Sequence, residues 1–110
     1  MIRARYNEQE YCLTVSGHAG YGPMMQDIVC AGVSAICDAL LGTAAEYSHK
    51  VYPRLMKRAS DNSIRVKLQP NNERNRTAAR LMLDMAYIGM EILERQFPAY
   101  VRCCRTKEEI

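Results

Sequence analysis

The sequence predicts an α+β domain: an antiparallel or mixed β-sheet with two helices packed on it, in the order β-β-α-β-β-α-β. Three observations carry this. Residues 2–7 and 11–16 alternate apolar with polar side chains, and Ile64, Val66 and Leu68 alternate with Arg65, Lys67 and Gln69, the period of half-buried strands. Two longer stretches, one starting near Asp27 and one over residues 73–95, repeat apolar residues at helical spacing. A chain of 110 residues is sized for a single core, so residues 1–110 are read as a single domain.

The first strand sets Ile2, Ala4 and Tyr6 against Arg3, Arg5 and Asn7, and the second sets Tyr11, Leu13 and Val15 against Cys12, Thr14 and Ser16. The short polar break at Glu8–Glu10 between them predicts a hairpin. Residues 17–25 hold three glycines and a proline and read as a loop. Asp27 has the residue type of an N-cap for a helix of roughly twenty residues. Val29, Val33, Ile36, Cys37, Leu40, Ala44 and Tyr47 share one face of it, and residues 28–37 are so apolar that burial on most sides is expected. Residues 51–58 form a weaker strand, placed at an edge by Pro53. The clear strand at 64–68 ends at Pro70–Asn72. The second helix carries two apolar stripes, one through Ala78, Leu81, Met82, Met85, Ile88, Gly89 and Ile92 and one through Ala79, Leu83, Ala86, Met90 and Leu93. One stripe packs a helix on a sheet; a second predicts a further partner, such as another subunit. Residues 100–105 form the last strand, after Pro98.

Composition narrows the function classes. The apolar share of 48% and charged share of 25% are those of a soluble globular domain. The net charge of +3 is spread along the chain instead of gathered in a basic run, so no stable nucleic-acid partner is expected. No signal-peptide pattern opens the sequence and no membrane span is expected, which leaves a membrane partner out. The five cysteines form no CxxC pair, so neither a zinc site nor any other metal or cofactor is implied, and reduced thiols in the cytoplasm are expected.

The chemistry concentrates in one stretch, GHAGYGPMMQDIVCAGVSA, from Gly17 to Ala35. It places His18 in a glycine-rich loop and Cys30 twelve residues later, near a helix start. A Cys–His pair is the minimum for thiol nucleophilic catalysis. A helix start favours a thiolate and offers unpaired N–H groups to an oxyanion. Free cysteines are most often small buried hydrophobes, and Cys12, Cys37, Cys103 and Cys104 are read that way. His49 reads as a surface histidine. Asp27 caps the helix or orients His18, and Ser34 lies one turn after Cys30 on the same face. Gly17, Ala19, Gly20, Tyr21 and Gly22 complete a loop suited to closing over a substrate.

GHAGYG followed by DIVCAGVSAI, with FPAYVRC late in the chain, resembles the signature of the ribosomal-processing cysteine protease family, the Prp or YsxB-like proteins. The resemblance covers essentially the whole chain. It departs at Met25, where the family usually has glycine, and at Gly32, where alanine is common. The resemblance implies a cysteine endopeptidase with Cys30 as nucleophile and His18 as general base; Asp27 and Ser34 are read as supporting residues from their positions, Ser34 equally as a small packing residue. Its implied substrate is a precursor of large-subunit ribosomal protein twenty-seven, from which an N-terminal extension is removed. It also implies a homodimer. Two alternatives stand beside it: a prophage-type relative that processes a capsid or scaffold protein, and a non-catalytic module that assists ribosome assembly.

Overall fold

A computed structural model describes residues 1–17, 24–59 and 63–110, and the backbone alone at 24–27. The elements are β1 (Ile2–Asn7), β2 (Cys12–Ser16), α1 (Met24–Glu46), α2 (Ser48–Val51), β3 (Pro53–Arg58), β4 (Ile64–Leu68), α3 (Glu73–Gln96) and β5 (Val101–Arg105). The predicted α+β class and element order hold, with one short helix added. The sheet order is β3-β4-β2-β1-β5. It is mixed, because β5 runs parallel to β1 while the other neighbours are antiparallel.

Alternation decides which face of the sheet is covered. Ile2, Ala4, Tyr6, Leu13, Val15, Ile64, Val66, Leu68 and Val101 all point to one side and are buried there. Val29, Val33, Cys37, Leu40 and Ala44 of α1 and Ala79, Leu83, Ala86, Tyr87 and Met90 of α3 close over them. Fully burying one such aliphatic side chain contributes about 1.5–3 kcal/mol, so this shared layer is the main source of stability. At the start of α3 the Asn72 side chain accepts the Asn75 N–H at 2.9 Å, an N-cap that satisfies one orphan amide. Proline opens β3, which is an edge strand as its sequence predicts.

Three expectations for α1 are corrected. The helix begins at Met24, so Asp27 is its fourth residue and not its cap, and Met25 belongs to the helix and not to a loop hinge. Met24, Met25 and Gln26 all have good helix propensity, and Pro23 before them is a residue type favoured at helix starts. Nor is the first half buried on most sides within one chain: Ile28 is 51% exposed, and Ala31 and Ala35 are exposed too. Finally, Ile28–Glu46 is long and apolar enough, by length and composition, for a membrane span, yet its buried face packs in the core.

The outer face of the sheet carries residues 106–110. Asn7 is 1% exposed; its Nδ2 donates to the Glu108 carbonyl at 2.9 Å and its Oδ1 accepts the Glu10 N–H at 3.1 Å. Cys12, paired with Asn7 across the hairpin, is buried beside it, its Sγ 3.9 Å from the Ile110 carbonyl oxygen. These two side chains are therefore covered by the segment that follows β5, not by the helices.

Candidate active site

β2 delivers the chain to Gly17, and α1 takes it up again at Met24. Gly17 has φ +85°, a left-handed conformation that glycine adopts without penalty. A Cβ built there would lie 2.2 Å from the Met1 carbonyl oxygen. Both the dihedral and the close approach of β1 require glycine at the point where the chain leaves β2. The expected site residues His18, Ala19, Gly20, Tyr21 and Gly22 follow directly and lie outside the described residues, as does the side chain of Asp27.

Cys30 is the seventh residue of α1. It is half-buried, packing against the core on one side, and among the described residues its thiol has no hydrogen-bond partner. Ser34 is half-buried one turn further along, without a hydrogen bond to the sulfur. The four N–H groups a helix leaves unpaired belong to residues 24–27, so they sit at least about 4.5 Å along the axis before Cys30. The sequence-based expectation that Cys30 stands at those free amides is corrected by the earlier helix start.

The other cysteines separate from Cys30 by environment. Burial pushes the Cys37 thiol up to about 11. Burial, reinforced by Glu94 and Glu91, pushes Cys103 up to about 12. Burial raises Cys12 as well, although Arg65 pulls in the opposite direction. All three are held as thiols near neutrality, and the thiolate is the nucleophilic form. Cys104, read from the sequence as a buried hydrophobe, is instead exposed: it alternates with Cys103 on edge strand β5 and so faces outward beside Arg5, across the sheet from α1. His49 is exposed in α2, as expected for a surface histidine.

A second polar constellation, which the sequence did not single out, braces the sheet to α3. The Tyr6 hydroxyl donates to Asp84 Oδ1 at 2.6 Å, and burial together with this bond raises its pKa far above the usual tyrosine range. The Tyr6 and Tyr87 rings lie 5.2 Å apart, with the Arg105 guanidinium 5.5 and 5.0 Å from their centroids. Arg105 also reaches Glu8 at 3.4 Å. Its residues are scattered over the chain, with nothing in their spacing to connect them. They hold β1, β5 and α3 together.

The family described as cysteine protease Prp matches residues 1–102. The chain belongs to the Prp cysteine protease family. It is accordingly a cysteine protease. Solved structures share the fold. The essential ribosomal processing protease Prp from S. aureus, in complex with a covalently linked product peptide, superposes with a TM-score of 0.75 at 20% identity, covering 96% of this chain and 100% of that one. The same enzyme with a substrate peptide gives 0.72 at 18% identity, covering 96% and 97%. SMU.848 from Streptococcus mutans gives 0.74 at 22% identity, covering 96% and 94%. No curated protein matches the chain. The Prp fold thus spans every described element, from β1 through β5.

Proposed function

We propose that the chain is a Cys–His endopeptidase that removes the N-terminal extension from the precursor of large-subunit ribosomal protein twenty-seven. The observation that carries the residue assignment is the setting of Cys30: a half-buried thiol without a polar partner among the described residues, on the helix that follows the loop. Burial withdraws Cys12, Cys37 and Cys103 from nucleophilic work.

The reaction needs few groups. His18 takes the proton from Cys30, and the sulfur attacks the scissile carbonyl to form a tetrahedral intermediate. Collapse breaks the C–N bond as His18 returns the proton to the leaving amine, which yields a thioester on Cys30. Water, deprotonated by His18, then hydrolyses the thioester and regenerates the thiol. Gly17 supports this scheme from the β2 end, since its left-handed backbone sets the direction in which the chain leaves β2 just before His18. Asp27, in the first turn of α1, is positioned in sequence to influence His18; Asp27→Asn removes its charge and keeps its shape.

The protein acts as a homodimer in the cytoplasm. The apolar stripe of α3 supports the first point: Leu81 is 64% exposed, Met85 62%, Ile88 45% and Ile92 41%. With Ala35, Ile36 and Ala39 of α1 these residues line an open apolar groove of about 760 Å³. A contiguous apolar surface of this kind marks a protein–protein contact, and a second copy of the same face is self-complementary. Five cysteines without a disulfide suit a reducing compartment.

The test is cleavage of the extended ribosomal-protein precursor, with a virion protein precursor as comparison. Cys30→Ala and His18→Ala abolish cleavage while Cys104→Ala leaves it intact. Cleavage by Cys30→Ala contradicts the assignment, and cleavage of the virion precursor alone transfers the substrate to the phage class.

A further inference from the structure

The strands contain no aspartate or glutamate. The described acids of the helices, Asp38, Glu46, Glu73, Asp84, Glu91 and Glu94, belong to the opposite layer. Pairing register then decides where the strand cations go. Arg3 is level with Arg102, and Arg5 is level with Thr14, which is level with Arg65, itself level with Lys57. Lys67 is level with Cys12. Paired residues share a face, so Arg3, Arg5, Lys57, Arg65, Lys67 and Arg102 all project from the side away from the helices. Charges dispersed along the sequence become one field across five strands, on strands spaced about 4.8 Å apart.

Part of that field is already occupied from within the chain. Residues 106–110 cross it: Arg5 lies 3.9 Å from Glu108, and the Arg65 guanidinium donates to the Ile110 carbonyl. Lys67 pairs with Glu10 at 3.5 Å. Arg3, Lys57 and Arg102 have no such partner among the described residues. The face thus has open cations toward its two edges, Arg3 and Arg102 on β1 and β5 and Lys57 on β3, and between them Arg5, Arg65 and Lys67 held by Glu108, the Ile110 carbonyl and Glu10.

We propose that this outer face docks on the phosphate backbone of RNA, and that Glu108 and Glu109 moderate the contact by competing for Arg5 and its neighbours. Four of the six cations are arginine, whose planar fork suits phosphate oxygens better than an ammonium does. Outer-face positions such as Thr14, Ser16, Leu55 and Cys104 supply no aromatic ring for base stacking, so contact with the backbone, independent of sequence, is the mode this surface supports. The choice of RNA rests on the ribosomal-substrate reading above, since a ribosomal-protein precursor works on RNA. The expectation of no stable nucleic-acid partner came from linear charge density, which does not register what strand pairing brings together.

The experiment is fluorescence anisotropy of a labelled RNA hairpin with the full chain at low and at moderate salt, run beside peptide cleavage. The wild type binds in a salt-dependent way, and Arg3→Gln/Arg102→Gln weakens binding and reduces the log–log salt slope by about 2. Glu108→Gln/Glu109→Gln, which retains the backbone contacts to Asn7 and Cys12, tightens binding several-fold. Cleavage of a free peptide is unchanged in both. If Arg3→Gln disturbs folding, Lys57→Gln/Arg102→Gln makes the same test. Absence of binding at low salt, an unchanged slope in the neutralised variants, or displacement of RNA by polyglutamate at equal charge overturns the proposal, the last by assigning an acidic protein to the face. A wild-type chain that cleaves the peptide without binding RNA rejects this inference alone; a wild-type chain that binds RNA in a salt-dependent way without cleaving rejects the protease reading and not the surface assignment.

Discussion

Gly17→Ala is a sharp perturbation because two separate costs fall on one methyl group. The backbone at φ +85° is left-handed, which costs an L-residue about 1–2 kcal/mol. The added Cβ would meet the Met1 carbonyl oxygen at 2.2 Å and the Ile2 Cα at 3.5 Å. Relief requires the start of β1 to move, yet Ile2 is 2% exposed and its N–H donates to the Tyr100 carbonyl at 2.8 Å. Displacing that anchor adds a penalty of the size of overpacking, about 1–3 kcal/mol. The sum is about 2–5 kcal/mol, a large part of a small domain's stability. The assay is urea unfolding followed by circular dichroism, with peptide cleavage measured on the folded fraction. Gly42→Ala is the control: its Cβ meets nothing within 4 Å on an exposed part of α1, so it stabilises by about 0.5–1 kcal/mol. A loss below about 0.5 kcal/mol for Gly17→Ala, or equal effects of the two substitutions, refutes the reasoning.

Other expectations are simpler. Tyr6→Phe removes the 2.6 Å bond to Asp84 and costs about 2 kcal/mol by thermal or urea unfolding, with cleavage by the folded enzyme unchanged; no loss of stability contradicts the bracing role. The Cys37 thiol, held by burial at about 11 against 9.0 for the ordinary group, makes stability depend on alkaline pH. The folded pKa is the higher one, so the contribution is complete below pH 9 and is lost as pH rises toward 11, at about 1.4 kcal/mol per pH unit. A urea midpoint that stays flat across that window contradicts it. Ile88→Glu places a charge in the exposed apolar stripe, so on the proposed homodimer light scattering reports a dimeric wild type and a monomeric variant, with the monomer fold retained; dimers of the variant surviving at low micromolar concentration argue against this face.

The fold was legible where one period dominated. β1 and β4 alternate cleanly because each has one covered face, and α3 shows its buried stripe because it packs on the sheet from one side. The start of α1 was misplaced because Asp27 has the right residue type for a cap, while the helix-forming run Met24–Gln26 carries no periodic signal of its own. Cys12 reads as an inward strand residue or an exposed one according to what covers the outer face, and its cover comes from residue 110, far along the chain. The candidate site stands in the sequence as a pair of reactive residue types at a recognisable spacing, of which the described residues include only Cys30. The environment that separates Cys30 from Cys37 and Cys103 was not, since burial arises from elements distant in sequence. The Tyr6–Asp84 contact, 78 residues apart, is invisible to any local pattern for the same reason.

The central claim, that Cys30 carries the acyl group during cleavage, is tested most directly by intact-mass spectrometry of the enzyme quenched in acid soon after mixing with the precursor. The account predicts a transient mass increase equal to the acyl fragment, mapped by digestion to Cys30, absent in Cys30→Ala and not accumulating in His18→Ala. An adduct on Cys104 or another residue, or turnover by Cys30→Ala at the wild-type rate, contradicts it.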